Sequence, residues 1–297
     1  MPLLISGEIF EAILAEVQGA NTSVQVITAY LKKDAFVALN TVVSKEITDK
    51  RLLVRMRLDD ILKGSSDFEA IEYALSNKWR VFLRFDLHAK TYVVDNKRCI
   101  VGSANMTTSG LSLFGRGNAE TATMVEMDNT DISKIDRLYT GAIEVSEQLL
   151  ADMRKEIDQA DSQPQNSYQQ WSSTITHLWK PDIQTLFSYE FPERGSYNVG
   201  EYVPFLDCYF ESTTQVKQAF RWSNSYLWLE QLLKDNDSCL YFGAITSALH
   251  DTIVSDPKPY RKDVKELLSN LLEMIKNLQM DEITIDVPNH SQRVRLH

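Results

Sequence analysis

The chain has 297 residues, 43% of them hydrophobic and 24% charged, with a formal net charge of −10. This length fits two domains with a sizeable core, and the lack of any run of about 18 apolar residues excludes a membrane-spanning helix. The first apolar run, Leu3-Leu4-Ile5, is followed by Glu8 and Glu11 and has no basic start, so no secretory leader is expected. Three scattered cysteines, Cys99, Cys208 and Cys239, argue against a disulfide framework and against a zinc site, which fits a cytoplasmic protein. The acidity is shared, with a net of −4 through residue 160 and −6 beyond it. Neither half has the basic footprint of a tight, autonomous nucleic-acid binder.

Along the first half, apolar residues at helical spacing (Ile9, Phe10, Ile13, Leu14, Val17) predict a helix over 7–17. A strand over Ser23–Tyr30, a helix over Asp34–Val43 and a strand over Arg51–Arg57 follow. Arg55 and Arg57 alternate with Val54 and Met56 there, and are the candidate substrate-binding cations. Arg51, Arg80, Arg84, Lys97, Arg98 and Arg116 lie near them in sequence and offer material for a local basic cleft. Ser65, Ser66 and Asp67 can cap a helix carrying Phe68, Ile71, Ala74 and Leu75. A strand over Val81–Phe85 comes next.

The run Leu87-His88-Ala89-Lys90-Thr91-Tyr92-Val93-Val94-Asp95, followed after six intervening residues by Gly102-Ser103-Ala104-Asn105, forms the pattern H-x-K-x4-D-x6-G-S-x-N. Thr91, Tyr92, Val93 and Val94 read as a strand. On a strand His88 and Lys90 share a face, about 7 Å apart. Arg98-Cys99-Ile100-Val101 reads as its hairpin partner across a polar turn at Asp95-Asn96-Lys97, delivering Ser103 and Asn105 to one face. An imidazole, an ammonium, a hydroxyl and a carboxamide gathered together suit a phosphodiester. Histidine is a nucleophile when one ring nitrogen is free. The lysine offers a point charge to a phosphate oxygen, and the neutral donors face charge that grows in the transition state. No divalent metal or other cofactor is needed if these donors neutralise that charge. A surface hairpin carrying His and Lys by chance is set aside, because several independent positions agree.

These residues resemble the HKD motif of the phospholipase D superfamily. The resemblance covers about residues 1–160, with Met106-Thr107-Thr108-Ser109-Gly110-Leu111 and Asn118-Ala119-Glu120 similar to the usual sequel. It implies an α/β fold, a phospholipase D-like mixed sheet flanked by helices. It also implies that His88 is the nucleophile that forms a phosphohistidine, that Lys90 and Asn105 hold phosphate oxygens with Ser103 nearby, and that Glu120 orients the histidine through its second ring nitrogen. Asp95 and Gly102 are then structural, Asp95 bracing the turn. Such sites use two histidines, yet His177, His250, His290 and His297 are not followed by lysine at the second position. The second imidazole is therefore expected from His88 of another subunit across a two-fold axis, as in single-motif bacterial nucleases and metal-independent restriction endonucleases. The expected activity is a metal-independent DNA nuclease, in a restriction or antiviral setting. Two alternatives stand beside it: a phospholipid-directed phospholipase D or transferase, and a nuclease subunit active only with a protein partner such as an ATPase.

Thr121–Met127 supplies a last strand, and Asp131 to about Ala160 reads as one long helix of about 45 Å. The domains are then 1–160, catalytic; 161–167, a polar linker around Pro164; and 168–297, a mainly helical α+β domain serving interaction, oligomerisation or nucleic-acid recognition. Trp222 and Trp228 near Tyr226 read as a packed helix face rather than a base-stacking surface. Pro259–Leu278 reads as a helix, and 283–287 and 293–296 as strands, an arrangement that weakly resembles a winged-helix edge.

Overall fold

A computed structural model describes residues 3–297 apart from 116, 161–169, 196, 207, 211, 256, 289 and 290, and apart from the side chain of residue 173. The expected linker 161–167 and Arg116 lie outside the described residues. Two compact units divide the chain, Met1–Lys180 and Pro181–His297.

The first unit is built on one mixed sheet. In chain order it contains β1 (Leu3–Ile5), α1 (Gly7–Gln18), β2 (Ser23–Thr28), α2 (Lys33–Asn40), β3 (Asp49–Arg55), α3 (Leu58–Leu62), α4 (Phe68–Ser76), β4 (Arg80–Arg84), β5 (Lys90–Val94), β6 (Arg98–Gly102), β7 (Thr121–Glu126), α5 (Asn129–Tyr139), β8 (Ile143–Glu144), α6 (Glu147–Ala160) and α7 (Ser173–Thr176). The strand order is β1-β7-β6-β5-β2-β3-β4-β8. β2, β3 and β4 run parallel, each joined to the next through helices, and the remaining pairs are antiparallel. Every residue of β2 is buried, as a central strand covered on both faces requires. On one face Ile27, Leu53, Phe82 and Leu87 form a cluster closed by Ile135, Leu138 and Tyr139 of α5. Ile9, Ile13 and Val17 of α1 and Phe36 and Leu39 of α2 are buried too.

Three expectations are corrected. The single helix over 131–160 is two helices with an edge strand between them. Thr140 is extended and Gly141 sits at φ +71°, which ends α5; Ile143 then pairs with Leu83 and Glu144 with Phe82. Two β-branched residues, Ile143 and Val145, favour the strand, and Ser146 restarts the helix by accepting from the Leu149 N–H. Secondly, Ser66 and Asp67 do not cap α4. Ser66 Oγ accepts from Leu31 N, and Asp67 accepts from Lys32 Nζ and Lys33 N, so both tie the start of α4 to the loop after β2. Thirdly, the first unit runs past residue 168 to Lys180: buried Trp171 donates its indole N–H to Met56 O at 2.7 Å, and Lys180 N donates to Gly141 O.

The second unit contains β9 (Tyr202–Val203), β10 (Cys208–Tyr209), α8 (Thr213–Arg221), α9 (Asn224–Lys234), β11 (Cys239–Tyr241), α10 (Phe242–Thr252), α11 (Arg261–Asn277), β12 (Ile283–Asp286) and β13 (Arg293–Leu296). Its three-stranded sheet has the order β11-β13-β12, antiparallel throughout. Helix, strand, helix, helix and two strands, with the middle position of the sheet taken by the last strand, is the arrangement of a winged helix. Phe220, Tyr226, Trp228 and Leu229 are buried with Val264, Leu268, Leu271 and Ile275 of α11 in one core. Trp228 and Tyr226 thus pack inward, as an apolar helix face should.

Candidate active site

The site forms where β5, β6 and β7 meet the end of β2. Lys90 opens β5 and is only 9% exposed, while His88 lies just before the strand and is exposed. His88 is therefore not on the strand, and the pair does not share a pleat. Lys90 Nζ instead folds back to donate to the His88 carbonyl oxygen at 2.8 Å. One of its three protons is used there, leaving two for a ligand. Among the described residues the His88 imidazole makes no hydrogen bond within the chain, so both ring nitrogens are open to solvent or substrate. Partial burial, then the positive charges of Lys90, Arg55 and Arg57, hold the imidazole below its ordinary value of 6.5. The neutral ring is favoured at pH 7, which is the form a nucleophile needs. Burial and then the charge of Arg55 likewise lower Lys90, against an opposing pull from Glu120.

Asn105 is held by the end of β2. Its Oδ1 accepts from Tyr30 N at 3.1 Å and from Thr28 Oγ1 at 3.5 Å. With the carboxamide oxygen engaged by a backbone N–H, the amide nitrogen is the end left to donate. Thr28 Oγ1 in turn accepts from Met106 N at 3.0 Å and donates to Tyr30 O at 2.8 Å, and Thr28 is the register partner of Lys90. Sequence reasoning treated Thr28 and Tyr30 only as strand residues. Nothing in one sequence shows that β2 pairs with β5, so no signal could have singled them out.

Glu120 does not reach the imidazole. Its carboxylate accepts from Ser103 Oγ and, at 3.1 Å, from Asn118 Nδ2. The second ring nitrogen of His88 is not engaged by it, and Glu120 acts on the site through Ser103 and through its charge on Lys90. Ser103 also accepts from Thr121 N at 3.0 Å. Ser103 and Asn105 lie beyond the end of β6 and bond in different directions, so the shared strand face expected for them is absent. Gly102 is explained by close approach: a Cβ there would collide with Thr121 O and Ala122.

Asp95 accepts from the backbone N–H groups of Asn21, Thr22 and Ser23 and from Thr22 Oγ1, at 2.7–3.1 Å. It therefore ties the β5–β6 hairpin to the loop before β2, rather than bonding only its own turn. Despite partial burial, these donors hold its carboxyl well below the usual carboxylate range. Asp95 and Asn96 both sit at positive φ, 54° and 52°, with Lys97 N bonded to Val94 O, the two-residue hairpin turn that Asp and Asn tolerate.

The expected basic cleft is mostly neutralised. Arg55 is buried and makes a bidentate pair with Asp60 at 2.9 and 3.1 Å, its guanidinium 4.6 Å from the Tyr30 ring. Arg51, Arg80, Arg84 and Arg98 pair with Asp49, Glu144, Asp86 and Glu16. Arg57 donates to Phe85 O at 2.6 Å, and its charge, with that of Arg55, falls on His88. Both arginines thus tune the imidazole; Arg55 has its fork occupied. Among the described residues no cluster of His, Cys, Asp and Glu is arranged to hold a metal, and no helix is long and apolar enough to cross a membrane.

Residues 13–139 match the family described as "Cardiolipin synthase, PLD-like domain". Among solved structures the chain is similar to Nuc from Salmonella typhimurium, described as a phospholipase D family member (16% identity, 49% of this chain and 99% of that one, TM-score 0.41). It is similar also to NucT from Helicobacter pylori (16%, 47% and 92%, 0.32) and to phosphatidylserine synthase of Haemophilus influenzae (14%, 54% and 46%, 0.37). No curated protein matches the chain. Residues 13–139 thus form a phospholipase D-like domain.

Proposed function

We propose that the protein is a metal-independent DNA phosphodiesterase that works through His88 in a homodimeric site. The observation that carries this reading is His88 itself: an exposed imidazole, free of internal hydrogen bonds among the described residues. Partial burial and the charges of Lys90, Arg55 and Arg57 disfavour its protonation, and the chain has no second H-x-K. A neutral ring nitrogen attacks phosphorus and forms a P–N bond as the P–O ester bond breaks. The leaving oxygen takes a proton from His88 of the partner subunit, which then removes a proton from the water that hydrolyses the phosphohistidine. Lys90 and the amide of Asn105 receive the charge that builds on the non-bridging oxygens.

The dimer is supported by an uncovered apolar row on the outer strands. Leu3 of β1 and Val101 of β6 are both register partners of Thr123 of β7, so they share a sheet face. They are 71% and 39% exposed, and Ile5 continues the row. β6 and β7 are the strands that run into Ser103 and out of Glu120, so a seam here would lie beside the site.

A phospholipid-directed activity is the second reading, favoured by the description of the matching family. Incubation with supercoiled plasmid and, separately, with phosphatidylglycerol vesicles, both in excess EDTA, distinguishes the two. The DNA reading expects nicked or linear plasmid and unchanged lipid. Phospholipid turnover without plasmid cleavage would replace it, and plasmid cleavage abolished by EDTA would remove the metal-independent mechanism. A restriction or antiviral setting, and activation by a partner such as an ATPase, fit the chain's acidity and would be tested by co-purification.

A further inference from the structure

The long helix α11 carries two unlike polar faces. Val264, Leu268, Leu271 and Ile275 point into the core of the second unit. On one side of that stripe Asp263 and Glu266, with Leu267 and Asn270, line a groove of about 400 Å³ shared with Phe191 and Arg194. Asp263 also accepts from Tyr260 N at 3.0 Å, a helix-start bond that explains an acid there. At 100° per residue, the other side of the stripe presents Arg261, Lys262, Lys265, Ser269 and Lys276, with Glu266 and Glu273 at its margin. All of these are exposed. Among the described residues none of the four cations has an ion-pair partner, whereas Arg221, Lys234, Arg293 and Arg295 of the same unit are paired.

We propose that the exposed Arg261-Lys262-Lys265-Lys276 face of α11 is a docking surface for double-stranded DNA, with α11 lying in the major groove. The cations extend over about 22 Å of helix, and a helix fits a major groove about 12 Å wide, where such a spread meets phosphates on both sides. α10 precedes α11 across residues 253–260, and α11 holds the place of the helix that enters the groove in helix-turn-helix proteins. Ser269 lies in the middle of the face; its hydroxyl donates to Lys265 O at 2.8 Å, which leaves its oxygen to accept from a base edge. The β12–β13 hairpin is not the charged element: Arg293 and Arg295 are both held by Asp286. Acidic protein surfaces offer the same sign of charge. DNA is favoured because the face is narrow, helical and without an apolar centre of the kind that protein interfaces bury. The inference goes beyond the cleavage reading and does not depend on it, since binding by α11 requires neither His88 nor turnover.

The test uses the full chain carrying His88→Ala, so that binding is read apart from cutting, and a labelled 20-base-pair duplex in EDTA at about 0.1 M salt. Fluorescence anisotropy is expected to give a micromolar Kd. Adding Lys262→Glu and Lys265→Glu is expected to weaken binding by at least about tenfold and to reduce the slope of log K against log salt by about two. Both positions are exposed, so circular dichroism melts should superimpose. Lys45→Glu with Lys155→Glu, a reversal of equal charge in the first unit, should leave affinity within about twofold. Equal loss in both double variants would reduce the effect to net charge and overturn the proposal. Duplex binding unchanged by the α11 reversals, or no duplex binding at all, would also overturn it. Retention of polyglutamate in place of duplex would assign the face to an acidic protein instead.

Discussion

Partial burial, and then the charges of Lys90, Arg55 and Arg57, set the character of His88. A cation beside an imidazole opposes protonation. The acid limb of the pH–rate profile is therefore expected below pH 6.5, the ordinary value for a free imidazole. Arg57→Gln keeps a donor for Phe85 O but removes one cation, so the limb should move upward, read from kcat/KM across pH 4.5–8. A limb that stays still would detach Arg57 from the imidazole. The roles themselves are separable by substitution. His88→Ala should abolish turnover, whereas Lys90→Ala and Asn105→Ala should each slow single-turnover cleavage by about a hundredfold or more while leaving the fold intact. Measurable turnover by His88→Ala would remove the phosphohistidine. His88, Lys90 and Asn105 were legible in the sequence because their spacing is rigid. The partners that aim them were not, because Thr28, Tyr30 and Asp60 come from segments far away or carry no pattern. Glu120 was legible as a nearby acid, but its target, Ser103 rather than His88, depends on how β6 and β7 close at Gly102.

Among the elements, the hairpin and the strands of the first unit followed from alternating β-branched residues and from the Asp95-Asn96 turn. The error over 131–160 has a physical cause. Apolar residues recurred at helical spacing through Ile143, yet Gly141 at φ +71° and the pairing of β8 with β4 overrode the pattern. Gly141 is also pressed against the Lys180 carbonyl, leaving no room for a Cβ. Gly141→Ala is expected to cost about 2 kcal/mol or more, combining left-handed strain with that clash. Thermal melting should show it as a drop of roughly 4–8 °C in the first unit, and an unchanged melt would contradict the φ assigned there. Asp95 belongs to the same scale, because it ties a hairpin to a loop. Asp95→Asn should lose about 2 kcal/mol, the worth of hydrogen bonds to a charged acceptor, with little change in the chemical step. The unfolded state takes up a proton on this group at higher pH than the folded state does. Its contribution is therefore full at neutral pH and fades as pH falls through its depressed folded value. The gap in melting temperature between parent and variant should narrow on acidification. A gap that widens at low pH would reverse the sign of the assignment.

For the whole molecule, one H-x-K and the proposed two-imidazole reaction would make catalysis a property of a dimer. The basic face of α11 offers duplex binding a surface in the second unit. The sequence hinted at this division through the helix and hairpin near its end. The face itself was hidden, since sorting Lys262 and Lys265 from Asp263 and Glu266 requires knowing which side of α11 is covered. The dimer is tested by subunit mixing. Wild type and His88→Ala protein, unfolded together in equal amounts and refolded, should form parent, variant and mixed dimers at random. If each site needs His88 from both subunits, only the parent dimers cut, and activity per total protein falls to about a quarter. If each chain works alone, half remains. Light scattering on the same samples should give twice the chain mass, and Val101→Glu, which buries a charge in the proposed seam without touching His88, should shift that mass toward the monomer and lower activity in proportion. A fully active monomer would leave His88 acting without its counterpart, and the two-imidazole mechanism would fall with it.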